Sequence, residues 1–139
     1  MPERVPSASD APRAPHRVLL AEDEPSHVLL AQTILERLGC EVDVVASGRD
    51  AIERARSCDY DLILMDLCMP EMDGLQATGA IREVEKAARR KQAPVVIITA
   101  AATVHDCRVY DNAGANDVLL KPFRIADFEY VVREWLGLK

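Results

Sequence analysis

The sequence has few aromatic residues and no long apolar segment. Phe, Trp and Tyr make up 4% of the 139 residues, and no stretch approaches the ~20 consecutive apolar residues of a membrane span. The N-terminal residues also lack the apolar core of a signal peptide. We therefore expect a cytoplasmic protein and no membrane contact by this domain.

A metal-binding or disulfide pattern of cysteines is missing too. The four cysteines form no CxxC pair and are not accompanied by a cluster of histidines. This spacing argues against a zinc site and against a disulfide framework, so we expect free thiols in a reducing compartment. The four positions are Cys40, Cys58, Cys68 and Cys107.

The sequence has no excess of positive charge. Its formal net charge is −6, whereas nucleic-acid-binding domains usually carry a basic surface that replaces the counterions on phosphate. The short basic run of Lys86, Arg89, Arg90 and Lys91 is interpreted as the solvated end of a helix. We expect no nucleic acid binding by this domain. A nucleotide or flavin binder is also disfavoured, because no glycine-rich loop follows the first apolar run.

What remains is the composition of one globular domain, with 49% hydrophobic and 29% charged residues. A chain of this length can bury about 70% of its unfolded surface. Residues 1–16 differ, because they combine four prolines with Ser, Ala and charged residues. Such a segment buries too little apolar surface to offset its ordering entropy. We predict a disordered tail or linker over residues 1–16 and one domain over residues 17–139.

Apolar runs alternate with helical patterns along this domain. Several runs are continuous rather than alternating, as expected for parallel strands covered on both faces. Between the runs, apolar residues such as Ala77, Ile81 and Val84 recur at helical spacing. Five strands alternating with five helices predict an α/β domain with a doubly wound parallel sheet. The predicted strands cover residues 17–21, 42–46, 61–66, 94–99 and 117–120, and the predicted helices cover 25–38, 49–56, about 74–88, 103–112 and 125–136.

Polar residues stand where four of the five predicted strands end. Glu22 and Asp23 follow the first strand, Asp66 ends the third, Thr99 ends the fourth, and Lys121 follows the fifth. Doubly wound sheets bind ligands at the carboxyl ends of their strands, so these side chains are expected to meet at one edge. Crowded carboxylates repel one another unless a cation lies among them. Mg²⁺ is the natural candidate, because it prefers carboxylate, water and phosphate oxygens.

The lysine and the hydroxyl indicate the other half of a phosphoryl-transfer site. Lys121 and Thr99 could share the charge of a phosphoryl group that arrives at Asp66, which would act as a nucleophile. Taken singly, each residue has a simpler interpretation: the acidic run 22–24 could favour a helix N-terminus, Asp66 could cap a turn, Thr99 is a common strand residue, and Lys121 could lie in a solvated loop. Their coincidence at four strand ends favours one site.

Four segments, in this order, resemble the receiver domain of two-component response regulators: VLLAEDEP, DLILMDLCMPEMDGLQATGAIR, PVVIITA and GANDVLLKPF. The resemblance covers about residues 17–137. It implies a flavodoxin-like (βα)5 fold with strand order 2-1-3-4-5. It also implies a phosphoacceptor that promotes its own phosphotransfer and slow dephosphorylation, rather than an enzyme acting on separate substrates.

The resemblance further assigns roles to individual residues. Asp66 would accept a phosphoryl group from a phosphohistidine, supplied by a histidine kinase or a histidine phosphotransfer domain. The Lys121–Pro122 peptide is commonly cis in such domains. Asp23, Asp66 and the main-chain carbonyl of Cys68 would bind Mg²⁺. Glu22 would act through a water molecule bound to the metal. Thr99 and Lys121 would contact the phosphoryl oxygens.

Three positions near the site bear on how the domain would switch and how long the phosphoryl group would last. Val118 stands three residues before the lysine, where the family often has an aromatic ring that turns inward on activation. We therefore expect the loop after Thr99 to move on activation with reduced conformational contrast. Cys68 and Ala101 occupy positions that tune the phosphoryl lifetime, and neither side chain is suited to orienting an attacking water. A moderately long-lived phosphate is expected.

Two other functions remain open from the sequence. A phosphatase of the haloacid-dehalogenase type would need a second Asp two residues after Asp66, where Cys68 stands. A binding module that works without phosphorylation is disfavoured by the complete set of pocket residues, although Val118 leaves this function open. The chain fits a free-standing regulator or the receiver of a hybrid sensor kinase, and the basic end of the third helix favours the second setting.

Overall fold

The computed structural model describes residues 15–138 of the chain. The predicted tail of residues 1–16 therefore lies, except for its last two residues, outside the described residues. The main-chain carbonyl of His16 accepts a hydrogen bond of 2.8 Å from the amide of Glu41. Strand pairing thus begins at the predicted domain boundary, while the division of the chain at residue 16 stays a prediction.

The predicted α/β alternation is confirmed. Five parallel strands form one sheet in the order β2-β1-β3-β4-β5, which is the predicted order 2-1-3-4-5. Each strand begins or ends within one residue of its predicted bounds. The strands are β1 (Arg17–Ala21), β2 (Glu41–Val45), β3 (Leu62–Asp66), β4 (Val95–Thr99) and β5 (Asp117–Leu120).

Five helices alternate with these strands, and side chains cap the first turns of most of them. Ser47, Asp73 and Thr103 each accept a hydrogen bond from the amide three residues later, which satisfies a donor that the helix leaves open. No helix within residues 15–138 is long and apolar enough to span a membrane. The helices are α1 (Pro25–Arg37), α2 (Gly48–Ser57), α3 (Gly74–Ala87), α4 (Val104–Asn112) and α5 (Ile125–Leu136).

The two central strands are buried on both faces, which explains their continuous apolar sequences. Every residue of β3 and β4 is buried. Alternate residues of β3 face opposite layers: Ile63 and Met65 pack with α2 and α3, while Leu62 and Leu64 pack with α1 and α5. Each fully buried aliphatic side chain contributes roughly 1.5–3 kcal/mol. The sheet therefore holds the carboxyl end of β3 in a rigid frame.

The basic run at the end of α3 is only partly solvated. Arg90 reaches the end of α2, where its guanidinium donates hydrogen bonds to the carbonyls of Ala55 and Arg56. The last carbonyls of a helix have no partner within the helix, so this contact caps α2. The interpretation of a solvated helix end is wrong for Arg90. The rest of the run is exposed: Lys86, Arg89 and Lys91.

Gly74, the first residue of α3, allows this helix to begin directly against the end of β3. A Cβ atom at Gly74 would lie 2.6 Å from the carbonyl oxygen of Asp66 and 2.9 Å from the Cγ of Met65. Real Cβ atoms do not approach backbone oxygen this closely, so only glycine fits. The close approach couples the position of α3 to the position of Asp66.

Replacement of Gly74 by alanine is expected to destabilise the domain by about 1–3 kcal/mol, because the helix and the strand end must separate. The free energy of unfolding in urea would measure the loss. Gly79→Ala is the matched control: Gly79 lies in the same helix, nothing lies within 4 Å of its Cβ position, and alanine there should stabilise by about 0.5–1 kcal/mol. Equal effects of the two substitutions would contradict this account.

Candidate functional site

The predicted site residues meet at the carboxyl edge of the sheet. Asp66 and Thr99 are the last residues of the adjacent strands β3 and β4, and Glu22 directly follows β1. Asp66 and Glu22 are each 4% exposed and Thr99 is 5% exposed, whereas Asp23 is exposed. The edge therefore combines two buried carboxylates with one that faces solvent.

Lys121 brings a positive charge to the buried carboxylate of Asp66. Its Nζ lies 3.3 Å from Oδ1 of Asp66, and its amide donates a 2.7 Å hydrogen bond to the carbonyl of Thr99. The amide of Cys68 donates to the same Oδ1 at 3.2 Å. The peptide between Lys121 and Pro122 is cis, as expected. Asp66 is thus held by an ammonium group and a main-chain N–H.

Glu22, Asp23 and Asp66 form a compact acidic cluster. One ligand atom from each residue lies within 4.8 Å of the others. The pKa of Glu22 is raised to about 8, first because burial disfavours its charged form and then because of a hydrogen bond to Asp66 and the charge of Asp66. Lys121 opposes the shift, and Asp23 adds a smaller increase. One lysine thus compensates only part of the negative charge. A divalent cation with oxygen ligands fits this donor set.

Thr99 is oriented by the loop that follows it. The amide of Ala101 donates a 3.1 Å hydrogen bond to Oγ1 of Thr99. Because the oxygen accepts this bond, the hydroxyl proton stays available for a different acceptor. The arrangement suits a hydroxyl that donates to an anion beside Asp66.

His27 is a neighbour of the site that no sequence motif indicates. Its Nδ1 lies 2.7 Å from Oε1 of Glu22, from a position in the first turn of α1. The signal available in the sequence was only its place five residues after Glu22, and a histidine in a helix is common without a partner. The side chain of Cys68 is exposed.

Comparison with known protein families identifies the class of this domain. Residues 18–133 match the family described as the response regulator receiver domain. The match covers most of the chain, and the fold and the acidic edge agree with it. The chain belongs to this family, and it is a receiver domain of two-component systems, as its resemblance implied.

Curated relatives place the same domain within much longer proteins. The chain is 42% identical to the sensor protein GacS of Pseudomonas syringae pv. syringae over 126 residues, which are 91% of this chain and 14% of GacS. It is 35% identical to the aerobic respiration control sensor protein ArcB of Escherichia coli, over 91% of this chain and 16% of ArcB. The chain therefore spans about one seventh of these relatives' length.

A solved structure with a metal ion is among the similar folds. The receiver domain of sensor histidine kinase PA1611 from Pseudomonas aeruginosa superimposes with a TM-score of 0.77 and 37% sequence identity, over 89% of this chain and 99% of that one. That protein is described with a magnesium ion coordinated in its active-site cleft.

The raised pKa of Glu22 predicts a pH dependence of the metal-free protein. Between its usual value of 4.5 and about 8, the folded state binds more protons at Glu22 than the unfolded state does. The free energy of unfolding should therefore fall as pH rises through this window, by at most about 1.4 kcal/mol per pH unit. Urea unfolding in a chelator across this range measures the slope.

The control is Glu22→Gln, which cannot titrate. Four other groups face the position and stay in the variant: Asp23, His27, Asp66 and Lys121. These groups are present in both proteins, so the difference between the two profiles reports the loss of the Glu22 carboxyl and of its interactions with them. Parallel profiles would contradict the raised pKa.

Proposed function

We propose that this domain is the phosphoacceptor of a two-component phosphorelay, which takes a phosphoryl group from a phosphohistidine onto Asp66 with Mg²⁺ bound. The observation that carries the proposal is the buried carboxylate at the end of β3, 3.3 Å from the ammonium of Lys121 and within a cluster of two further carboxylates. A buried carboxylate with a cationic partner at a rigid strand end is suited to in-line attack.

The proposed step exchanges one bond to phosphorus for another. A carboxylate oxygen of Asp66 attacks the phosphorus atom, and a P–O bond forms while the P–N bond to the donor histidine breaks. The electron pair of the broken bond stays on the ring nitrogen, so an imidazole that carries a proton on its other nitrogen leaves as a neutral ring. Lys121 and the hydroxyl of Thr99 share the charge of the transferred oxygens.

The residues of the acidic cluster fit the metal that this chemistry needs. Asp23, Asp66 and the main-chain carbonyl of Cys68 would hold Mg²⁺, and Glu22 would act through a water molecule of the ion. When bound, Mg²⁺ supplies positive charge to the phosphoryl oxygens. The raised pKa of Glu22 supports the assignment, because uncompensated carboxylates at this edge favour a cation.

The donor and the setting follow from the same proposal. The partner is a histidine kinase or a histidine phosphotransfer domain, and the exchange takes place in the cytoplasm, without nucleic acid or membrane contact by this domain. In this role the domain accepts a phosphoryl group and slowly loses it, rather than turning over separate substrates. Because the relatives GacS and ArcB are named as sensor proteins, we favour the receiver of a hybrid sensor kinase, with residues 1–16 as its linker.

Incubation with acetyl phosphate and Mg²⁺ should add one phosphoryl group to the intact protein, because this small donor needs no partner protein. Intact mass spectrometry measures the gain. Asp66→Asn should abolish it, since an amide is not a nucleophile for this step. Asp111→Asn, which removes an exposed carboxylate of α4, is the matched control and should behave as the wild type does.

Omission of Mg²⁺ should also abolish the gain in mass. A wild-type protein that gains no mass under any condition would refute the phosphoacceptor proposal and favour a binding module that works without phosphorylation. A gain that persists in the Asp66→Asn variant would show a different acceptor.

The phosphorylated form is expected to persist for minutes or longer, because Cys68 and Ala101 cannot orient an attacking water. Loss of the added mass after removal of the donor gives the half-life. Cys68→Asn should shorten the half-life several-fold, since an amide can hold a water near the phosphoryl group. Asp111→Asn, which introduces the same side chain at an exposed position of α4, should leave the half-life unchanged. A wild-type half-life of seconds would contradict this expectation.

A further inference from the structure

A buried tyrosine of α4 is bonded to the loop that orients Thr99. Tyr110 is 4% exposed, and its hydroxyl donates a 2.6 Å hydrogen bond to the carbonyl oxygen of Ala101. The amide of the same Ala101 donates to Oγ1 of Thr99 at 3.1 Å. Ala101 therefore accepts a hydrogen bond from Tyr110 and donates one to the hydroxyl oxygen of Thr99.

The side chains of the loop itself do little to define its shape. Residues 100–102 are all alanine, so their own side chains offer no hydrogen bond that could hold the turn. Beyond them, Thr103 and Asp106 form the capping box that begins α4, which anchors the far end of the loop. Between Thr99 and this box, two side chains of α4 bond to the loop from outside. The phenol hydroxyl of Tyr110 makes the short bond to Ala101, and the thiol of Cys107 lies 3.9 Å from the carbonyl oxygen of Ala102.

The ring of Tyr110 lies in space that the small side chain of Val118 leaves free beside β5. Val118, which replaces the frequent aromatic residue of the family, packs against the core cluster that contains Tyr110. Both residues line a cavity of about 380 Å³ at this face. A large ring at position 118 would compete for the same region, so the small valine and the buried tyrosine are complementary. The aromatic group beside the loop thus comes from α4.

We propose that Tyr110 is a positioning residue for phosphoryl transfer, because its bond to Ala101 holds the amide that orients the Thr99 hydroxyl toward Asp66. The inference rests on the proposed phosphoacceptor function and adds a residue that the family pattern does not assign. Tyr110 touches neither the phosphoryl group nor the metal in this scheme. Removal of the Tyr110 hydroxyl should therefore slow phosphoryl transfer without changing the affinity for Mg²⁺.

The test is Tyr110→Phe, which keeps the buried ring and removes only the hydroxyl. The rate of phosphorylation by acetyl phosphate at saturating Mg²⁺ should fall about fivefold, the effect expected for loss of one hydrogen bond in the transition state. The Mg²⁺ dissociation constant should stay unchanged. In the metal-free protein, amide exchange of residues 100–103 should become faster while that of residues 62–66 stays the same.

Tyr60→Phe is a matched control for a general loss of stability. Tyr60 is also buried, and its hydroxyl donates a 2.6 Å bond to Asp43, but it precedes β3 at the end opposite Asp66. This variant should also lose stability on unfolding in urea, yet it should be phosphorylated at the wild-type rate. A purely structural role for Tyr110 would slow both variants equally.

Each outcome decides the inference. A slower transfer in Tyr110→Phe alone, with unchanged Mg²⁺ affinity, supports it. A rate equal to or above that of the wild type, or equal slowing in both Tyr→Phe variants, would overturn it while the phosphoacceptor function stands. A wild-type protein that is not phosphorylated would overturn both proposals, so the two failures are distinguishable.

Discussion

The contact between Lys121 and Asp66 is the interaction on which the site depends. A carboxylate that is 4% exposed and ends a fully buried strand would cost several kcal/mol without a compensating charge. The ammonium 3.3 Å away supplies that charge. Burial and the neighbouring Asp66 raise the pKa of Glu22 to about 8, and the charge of Lys121 opposes only part of that shift. The fold thus holds carboxylates at the carboxyl edge of the sheet whose combined charge favours binding of a cation.

Rigid neighbours keep this edge in place. The strands β3 and β4 are buried on both faces, and α3 begins so close to Asp66 that only glycine fits at position 74. The loop after Thr99 is different, because its alanines make no side-chain hydrogen bonds of their own. Its shape depends on a hydroxyl from α4, which reaches the Ala101 carbonyl. Positioning of the Thr99 hydroxyl therefore depends on how a helix packs against the sheet.

Much of the fold and of the candidate site could be predicted from the sequence. The continuous apolar runs and helical spacings are local patterns, and they located all ten elements to within a few residues. Polar residues at the strand ends then pointed to one edge. The sequence indicates neither the cap that Arg90 forms on α2 nor the bond of Tyr110 to the loop, because the accepting carbonyls lie 35 and 9 residues away in the chain. No local pattern shows that such a side chain turns toward a distant carbonyl.

The sequence by itself determined the class of fold and which residues stand at the strand ends, because both follow from periodicity and from the rule that parallel strands share a carboxyl edge. Only the tertiary structure decided the state of those residues. Burial of Glu22 against Asp66 raises its pKa, His27 contacts Glu22, and Tyr110 anchors the loop that orients Thr99. These properties depend on desolvation and distance, which arise only when separate elements of the chain pack together.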